Sequence, residues 1–187
     1  GARDAFNIEF AENTREAILA NFRFAQAHPE LGYSRLIWGI SASDGPSGYQ
    51  GLYGTPPLDP TAFGEVHDGT VTPYVLAGSL PFAADLALPA LQHLATLERG
   101  RLLSRYGLKD AVNVRKGFFA SDHLGIDQGA LLLGVEQYRT GLIGRLIRDS
   151  AVMQTSLSSL GFRTGGGAYP LEAEGARSTR AYLLLDT

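Results

Sequence analysis

Glu9–Ala27, EFAENTREAILANFRFAQA, sets Phe10, Thr14, Ala17, Ile18, Phe22 and Ala25 at spacings of three and four. That is one apolar stripe on a helix, and Pro29 and Gly32 just beyond it predict its end. The same period recurs downstream. Pro73–Ser79 reads as a short helix stopped by Pro81. Leu86, Ala90, Leu91, Leu94, Leu97 and Leu102-Leu103 predict another, with Pro89 near its start or at a kink. Leu132, Val135, Leu142, Ile143 and Leu146 predict a fourth from about Gln128 to Arg148, and Ala151–Leu160 a fifth that meets Gly161 as a C-cap. Only Arg180–Leu185 reads as a strand. The class is mainly α, with long polar loops.

The longest loop runs from Gly39 to Gly69, with seven glycines and four prolines. Its aromatic content (Trp38 at its edge, then Tyr49, Tyr53 and Phe63) argues against disorder. The chain has 187 residues, 44% hydrophobic and 19% charged, with a net charge of −3. Such a balance excludes the concentrated basic stripe that nucleic acid requires. Zero cysteine excludes a disulfide framework and thiolate zinc sites. No apolar run approaches the ~20 residues of a membrane span, and GARDAFNIEF does not read as a signal peptide. There is no zincin histidine pair, Walker loop, dinucleotide fingerprint or G-x-S-x-G elbow. No cofactor and no metal are expected.

What remains is carboxylates in aromatic, glycine-rich segments. Trp38–Tyr49 (WGISASDGPSGY) holds Asp44, for which an Asx turn is the structural alternative to a sugar contact. His67–Pro73 (HDGTVTP) holds Asp68, and a helix N-cap at Asp68 or Thr70 would by itself explain the segment. Tyr106–Asn113 (YGLKDAVN) holds Asp110 beside Lys109, where a solvated surface pair is the default. Ser121–Gly129 holds Asp127, placed to cap the next helix, and Glu136 and Arg139 lie one turn apart on it, where a structural salt bridge is the competing role. Acid and base carboxylates astride a bond, with aromatic faces to hold a ring, are the equipment of glycoside chemistry.

Taken in order, WGISASDGPSGY, DGTVTPY, GSLPFAADLALPAL, RYGLKDAVN, LGIDQG and EQYRTGL resemble the glycoamylase-like family of bacterial glycoside hydrolases, which includes β-1,2-glucanases. The resemblance covers roughly Asp4 to Phe162. It implies part, about half, of an (α/α)6 toroid, with residues 1–162 the C-terminal half of the catalytic domain and 163–187 a glycine-rich link and tail. Ala84-Asp85 stands where the family usually has Pro-Glu, Ala130 where it has Pro, and Gln137 where it has Asn.

The family likeness implies a hydrolase acting on a β-glucan, with β-1,2 linkage the expectation and inversion the expected stereochemistry. Asp110 becomes the catalytic carboxylate, as general base. Asp44 and Asp127 line its pocket, Trp38, Tyr49 and Tyr138 meet the sugar, and Arg139 positions an acid or a hydroxyl. Asp68 and Glu136 complete the candidate substrate contacts. The general acid would come from the absent half of the domain, and the partners would be an oligosaccharide and either that half or a second copy. Half a ring would leave stripes such as Leu86-Ala90-Leu94-Leu97 open to water. A periplasmic or extracellular location follows from the family and the missing cysteines. Two readings compete: a carbohydrate-binding remnant, and a helical interaction module.

Overall fold

A computed structural model describes residues 2–54 and 66–164. Strand β1 (Ala2–Arg3) leads into helix α1 (Phe10–Ala27), and hairpin β2 (Ser43–Gly45) and β3 (Gly48–Gln50) follows. Helix α2 (Pro73–Thr96) comes next, then hairpins β4 (Leu103–Ser104) with β5 (Gly107–Leu108) and β6 (Val112–Asn113) with β7 (Phe118–Phe119). Helices α3 (Gly125–Thr140), α4 (Leu142–Asp149) and α5 (Ala151–Ser159) precede β8 (Arg163–Thr164), which pairs antiparallel with β1. The architecture is mainly α. The four small antiparallel pairs correct the expectation of a single strand: each is only two or three residues per side, too short for period-two patterning to register. The strand expected at Arg180–Leu185 lies outside the described residues.

Helix α1 forms as its stripe predicts. Glu9 caps it through Oε2, which accepts from the Glu12 N–H at 2.6 Å, and Gly32 at φ 99° turns the chain after a 3-10 turn at Pro29–Leu31. Helix α2 is the centre of the core, with Leu76, Ala77, Leu80, Ala87, Ala90, Leu91 and Leu94 buried. Neither Pro81 nor Pro89 ends it. The chain instead kinks at Ala83, at φ −148° and ψ 51°. Arg15 of α1 steadies the kink: its guanidinium donates to the Phe82 carbonyl at 2.6 Å and pairs with Asp85 at 3.6 Å.

The Pro73–Arg99 segment is long and apolar enough to cross a membrane by length and composition, contrary to the reading of the sequence. Here α1 and α3 pack against it. Pro81 also frees the Ala77 carbonyl, and α3 crosses there. A Cβ on Gly134 would lie 2.3 Å from Ala77 O, so only glycine permits this approach. The run expected from Gln128 to Arg148 is two helices, broken at Gly141 in the left-handed region at φ 68°. The stripe expected to lie open on α2 is largely covered instead, with Ala90 and Leu94 at 0% exposure and Leu86 and Leu97 half-buried against the core. Open apolar side chains sit on α3 to α5: Ile126, Leu132, Leu133, Leu146 and Val152.

Candidate active site

Asp110 lies between β5 and β6 on a backbone that is anchored residue by residue. The Lys109 N–H donates to Leu102 O at 2.9 Å and the Asp110 N–H to Asp122 O at 3.1 Å. Ala120 donates to Ala111 O at 2.9 Å, and Val112 exchanges bonds with Val71, which ties the segment to the approach to α2. These bonds bury Asp110 to 1% exposure, so it forms no solvated surface pair with Lys109. The Lys109 ammonium reaches Arg101 O instead.

Three of the predicted acids meet here. The Asp44 N–H, in hairpin β2–β3, donates to Asp110 Oδ2 at 2.8 Å. Asp127 arrives from the first turn of α3 and is buried. It does not cap that helix. The helix begins at Gly125, three residues before the expected start, with Leu124 at the cap. Burial comes first in pushing the Asp110 carboxyl up to about 7; the Asp44 N–H opposes the rise, and the neighbouring Asp127 and Asp44 carboxylates reinforce it. Asp127 is raised too, by burial above all and by the charge of Asp44, against a lowering contribution from Asp110. Asp110 Oδ1 and Asp127 Oδ2 are buried without a hydrogen-bond partner among the described residues. Two buried, like-charged acids with spare acceptor capacity are suited to taking up a proton. Among the described residues no group of three or more potential ligands is arranged to hold a metal ion.

The other candidates divide. Tyr49 lies opposite Asp44 in the hairpin and is 66% exposed, open for a sugar face. Tyr138, Glu136 and Arg139 are partly buried on α3; Tyr138 packs against the core, and Glu136 Oε1 accepts from the Thr140 hydroxyl at 2.6 Å. Asp68 is bonded into a turn. Its Oδ1 accepts from the Thr70 N–H and hydroxyl, and its Oδ2 pairs with Lys116 at 2.8 Å. Burial disfavours its charge, yet Lys116, Thr70 and Tyr53 together hold its carboxyl below the usual value. It caps no helix; Thr72 precedes α2.

Trp38 is a correction. It has no exposed surface and packs edge-to-face on Phe22 of α1 at 5.3 Å, so it is a core residue and offers no ring to a sugar. Its glycine-rich surroundings misled. Gly39 follows at φ 100°, where a Cβ would press on Leu76 and Thr72 O at 3.1 Å, so the glycine brings backbone against α2.

Reasoning from sequence missed Tyr74, although it closes the quoted DGTVTPY. Its hydroxyl donates to Ala42 O at 3.1 Å, and burial raises its pKa, with Ser41 opposing and the charges of Asp127 and Asp110 adding to the rise. Its signal was a tyrosine following the proline that opens α2, one turn from a loop rich in acids.

The fold recurs in solved enzymes. An endo-β-1,2-glucanase from Chitinophaga pinensis, in complex with sophorotriose and glucose, is 27% identical with a TM-score of 0.76. A putative glucoamylase from Bacteroides uniformis is 31% identical, also at 0.76. In each case 88% of this chain matches 38% of the other. An exo β-1,2-glucooligosaccharide sophorohydrolase (non-reducing end) from Parabacteroides distasonis is 25% identical over 153 residues, 81% of this chain and 20% of its own. The chain thus spans about a fifth of that curated relative, and its mainly helical fold matches part of each solved structure. A family model described as "Putative glucoamylase" matches residues 1–151, about four fifths of the length, and the chain belongs to that Glycoamylase family.

Proposed function

We propose that this chain is part of a glycoside hydrolase that cleaves β-1,2-linked glucan by carboxylate acid–base chemistry. The observation that carries the reading is the meeting of Asp44, Asp110 and Asp127, with Asp110 desolvated and raised to about 7. A base poised near neutrality combines sufficient ionisation with sufficient basicity. Asp110 takes a proton from a water whose oxygen bonds to the anomeric carbon. The glycosidic C–O bond breaks on the opposite face, and the leaving oxygen takes a proton from an acid contributed by the rest of the domain. This single displacement inverts the anomeric centre. Asp44 holds Asp110 through its backbone, Asp127 keeps its basicity high, and Tyr49 offers an exposed ring to the substrate. The two named β-1,2-glucan hydrolases among the relatives support the choice of linkage.

The test is release of reducing ends from β-1,2-glucan and sophorotriose by the full-length protein, beside β-1,3- and β-1,4-glucans, with the anomer of the first product followed by NMR. Turnover of the β-1,2 substrates with inversion is expected. Sugar binding without turnover would establish a carbohydrate-binding remnant instead, and retention would make the base a nucleophile.

A further inference from the structure

The backbone from Leu108 to Val112 carries Asp110, and residues 109–112 are anchored by bonds from backbone to backbone. A further anchor comes from a side chain. Gln128 Nε2 donates to the Leu108 carbonyl at 2.5 Å, and Leu108 is buried. Gln128 is the immediate neighbour of Asp127 in the first turn of α3, where both N–H groups donate to Leu124 O. The other end of its amide is enclosed as well. Gly107 sits at φ 101°, and a Cβ there would lie 2.4 Å from Gln128 Oε1. Glycine is therefore favoured by the left-handed backbone, and its missing side chain leaves room for this amide.

The geometry points to Gln128 as a positioning residue: it fixes the segment bearing Asp110 against the helical turn bearing Asp127 and so sets how the two carboxylates face one another. The inference rests on the reading of Asp110 as the base. The amide touches neither acid. It joins the two supports whose separation governs how each carboxylate feels the other's charge, so its loss should alter proton affinity at the site while leaving sugar contacts in place.

The experiment compares Gln128→Met, Gln128→Glu and Asp110→Asn in the full-length protein with sophorotriose, over a range of pH. Gln128→Met keeps length but removes the donor. Its kcat should fall about 10- to 100-fold, the scale of a small misplacement of reacting groups. KM should stay within about twofold, and the acid limb of the kcat profile should move. Gln128→Glu regains a donor only when its carboxyl is protonated, so its activity relative to wild type should climb as pH falls. Wild-type kcat and acid limb in Gln128→Met, or a pH-independent ratio in Gln128→Glu, would overturn the positioning role. If the Met variant does not fold, the Glu ratio decides alone. An inactive Asp110→Asn beside wild-type-like Gln128 variants refutes only the positioning role, whereas an active Asp110→Asn refutes the base assignment and this inference with it.

Discussion

Replacing Asp110 by Asn should make the protein more stable at neutral pH while it abolishes turnover. The Asn carbonyl can still accept from the Asp44 N–H, which now meets Asp110 Oδ2 at 2.8 Å. Its amide N–H can face Asp127 as a donor in place of a like charge. In the wild type the folded-state pKa lies above the unfolded one. The protonated carboxyl therefore fits the fold, and its contribution is fully present below the unfolded value near 3.8 and is lost as pH rises through about 7. Were Asp110 alone responsible, a rise from 3.8 to about 7 would cost ~4 kcal/mol above pH 7, at ~1.36 kcal/mol per pH unit. Asp127 shares the repulsion, so ~1–3 kcal/mol is expected from Asp110. Thermal melts of both proteins should nearly coincide at pH 4 and separate as pH increases. In a protein of this size ~1 kcal/mol moves Tm by ~2–4 °C. The same variant should lose ~10²–10⁴ in kcat, as expected for a missing general base. A Tm gap that is absent or reversed at pH 8, or one that does not depend on pH, would refute the account of a desolvated acid pair.

Asp68→Asn should act the other way, costing ~1–2 kcal/mol at pH 7 through the lost ion pair with Lys116, with little effect on KM. Because the Asp68 carboxyl is lowered in the fold, its contribution is present above the unfolded pKa and lost as pH falls through the folded one, so melts of variant and wild type should converge in acid. Gly134→Ala should destabilise by at least ~1–3 kcal/mol through overpacking against Ala77 O, read by denaturant titration; a neutral result would mean that α3 does not cross α2 so closely. Leu132 and Leu146, 64% and 59% exposed here, are expected to be covered by the rest of a family domain. Leu→Ser at either should then cost ~1.5–3 kcal/mol in the full-length protein, and no change in stability would show that these faces stay open.

Helices were legible where an apolar stripe met its own stop signals, as in α1 with Phe10 to Ala25 followed by Pro29 and Gly32. They were less legible where tertiary contacts decide the break. Pro81 announces trouble in α2, but the kink falls at Ala83, next to the Phe82 carbonyl that Arg15, 67 positions from Phe82 in sequence, satisfies. The acids Asp44, Asp110 and Asp127 could be picked out as carboxylates among glycines and aromatics, and the family resemblance ranked them. What the sequence could not show was burial. Asp68 sits in the same kind of segment and is tied into a turn by Thr70 and Lys116, whereas among the described residues Asp110 has a hydrogen bond to one oxygen and none to the other. Trp38 failed for a related reason, since a glycine beside it can signal close packing as readily as an open loop.

The contrast between the two aspartates explains why the acid pair is held as it is. A carboxylate that served stability would be given cationic and hydroxyl partners, as Asp68 is. Asp110 and Asp127 are instead drawn out of water beside each other, which works against the folded state at neutral pH. Such an arrangement persists only if its supports are stiff enough to resist the repulsion. Those supports are the backbone bonds of residues 109–112 and the bridge to Val71, the residue two before α2, whose Leu76, Leu91 and Leu94 are buried. The stability gathered along Leu76, Leu91 and Leu94 is thus the counterweight that lets two acids lie buried beside each other.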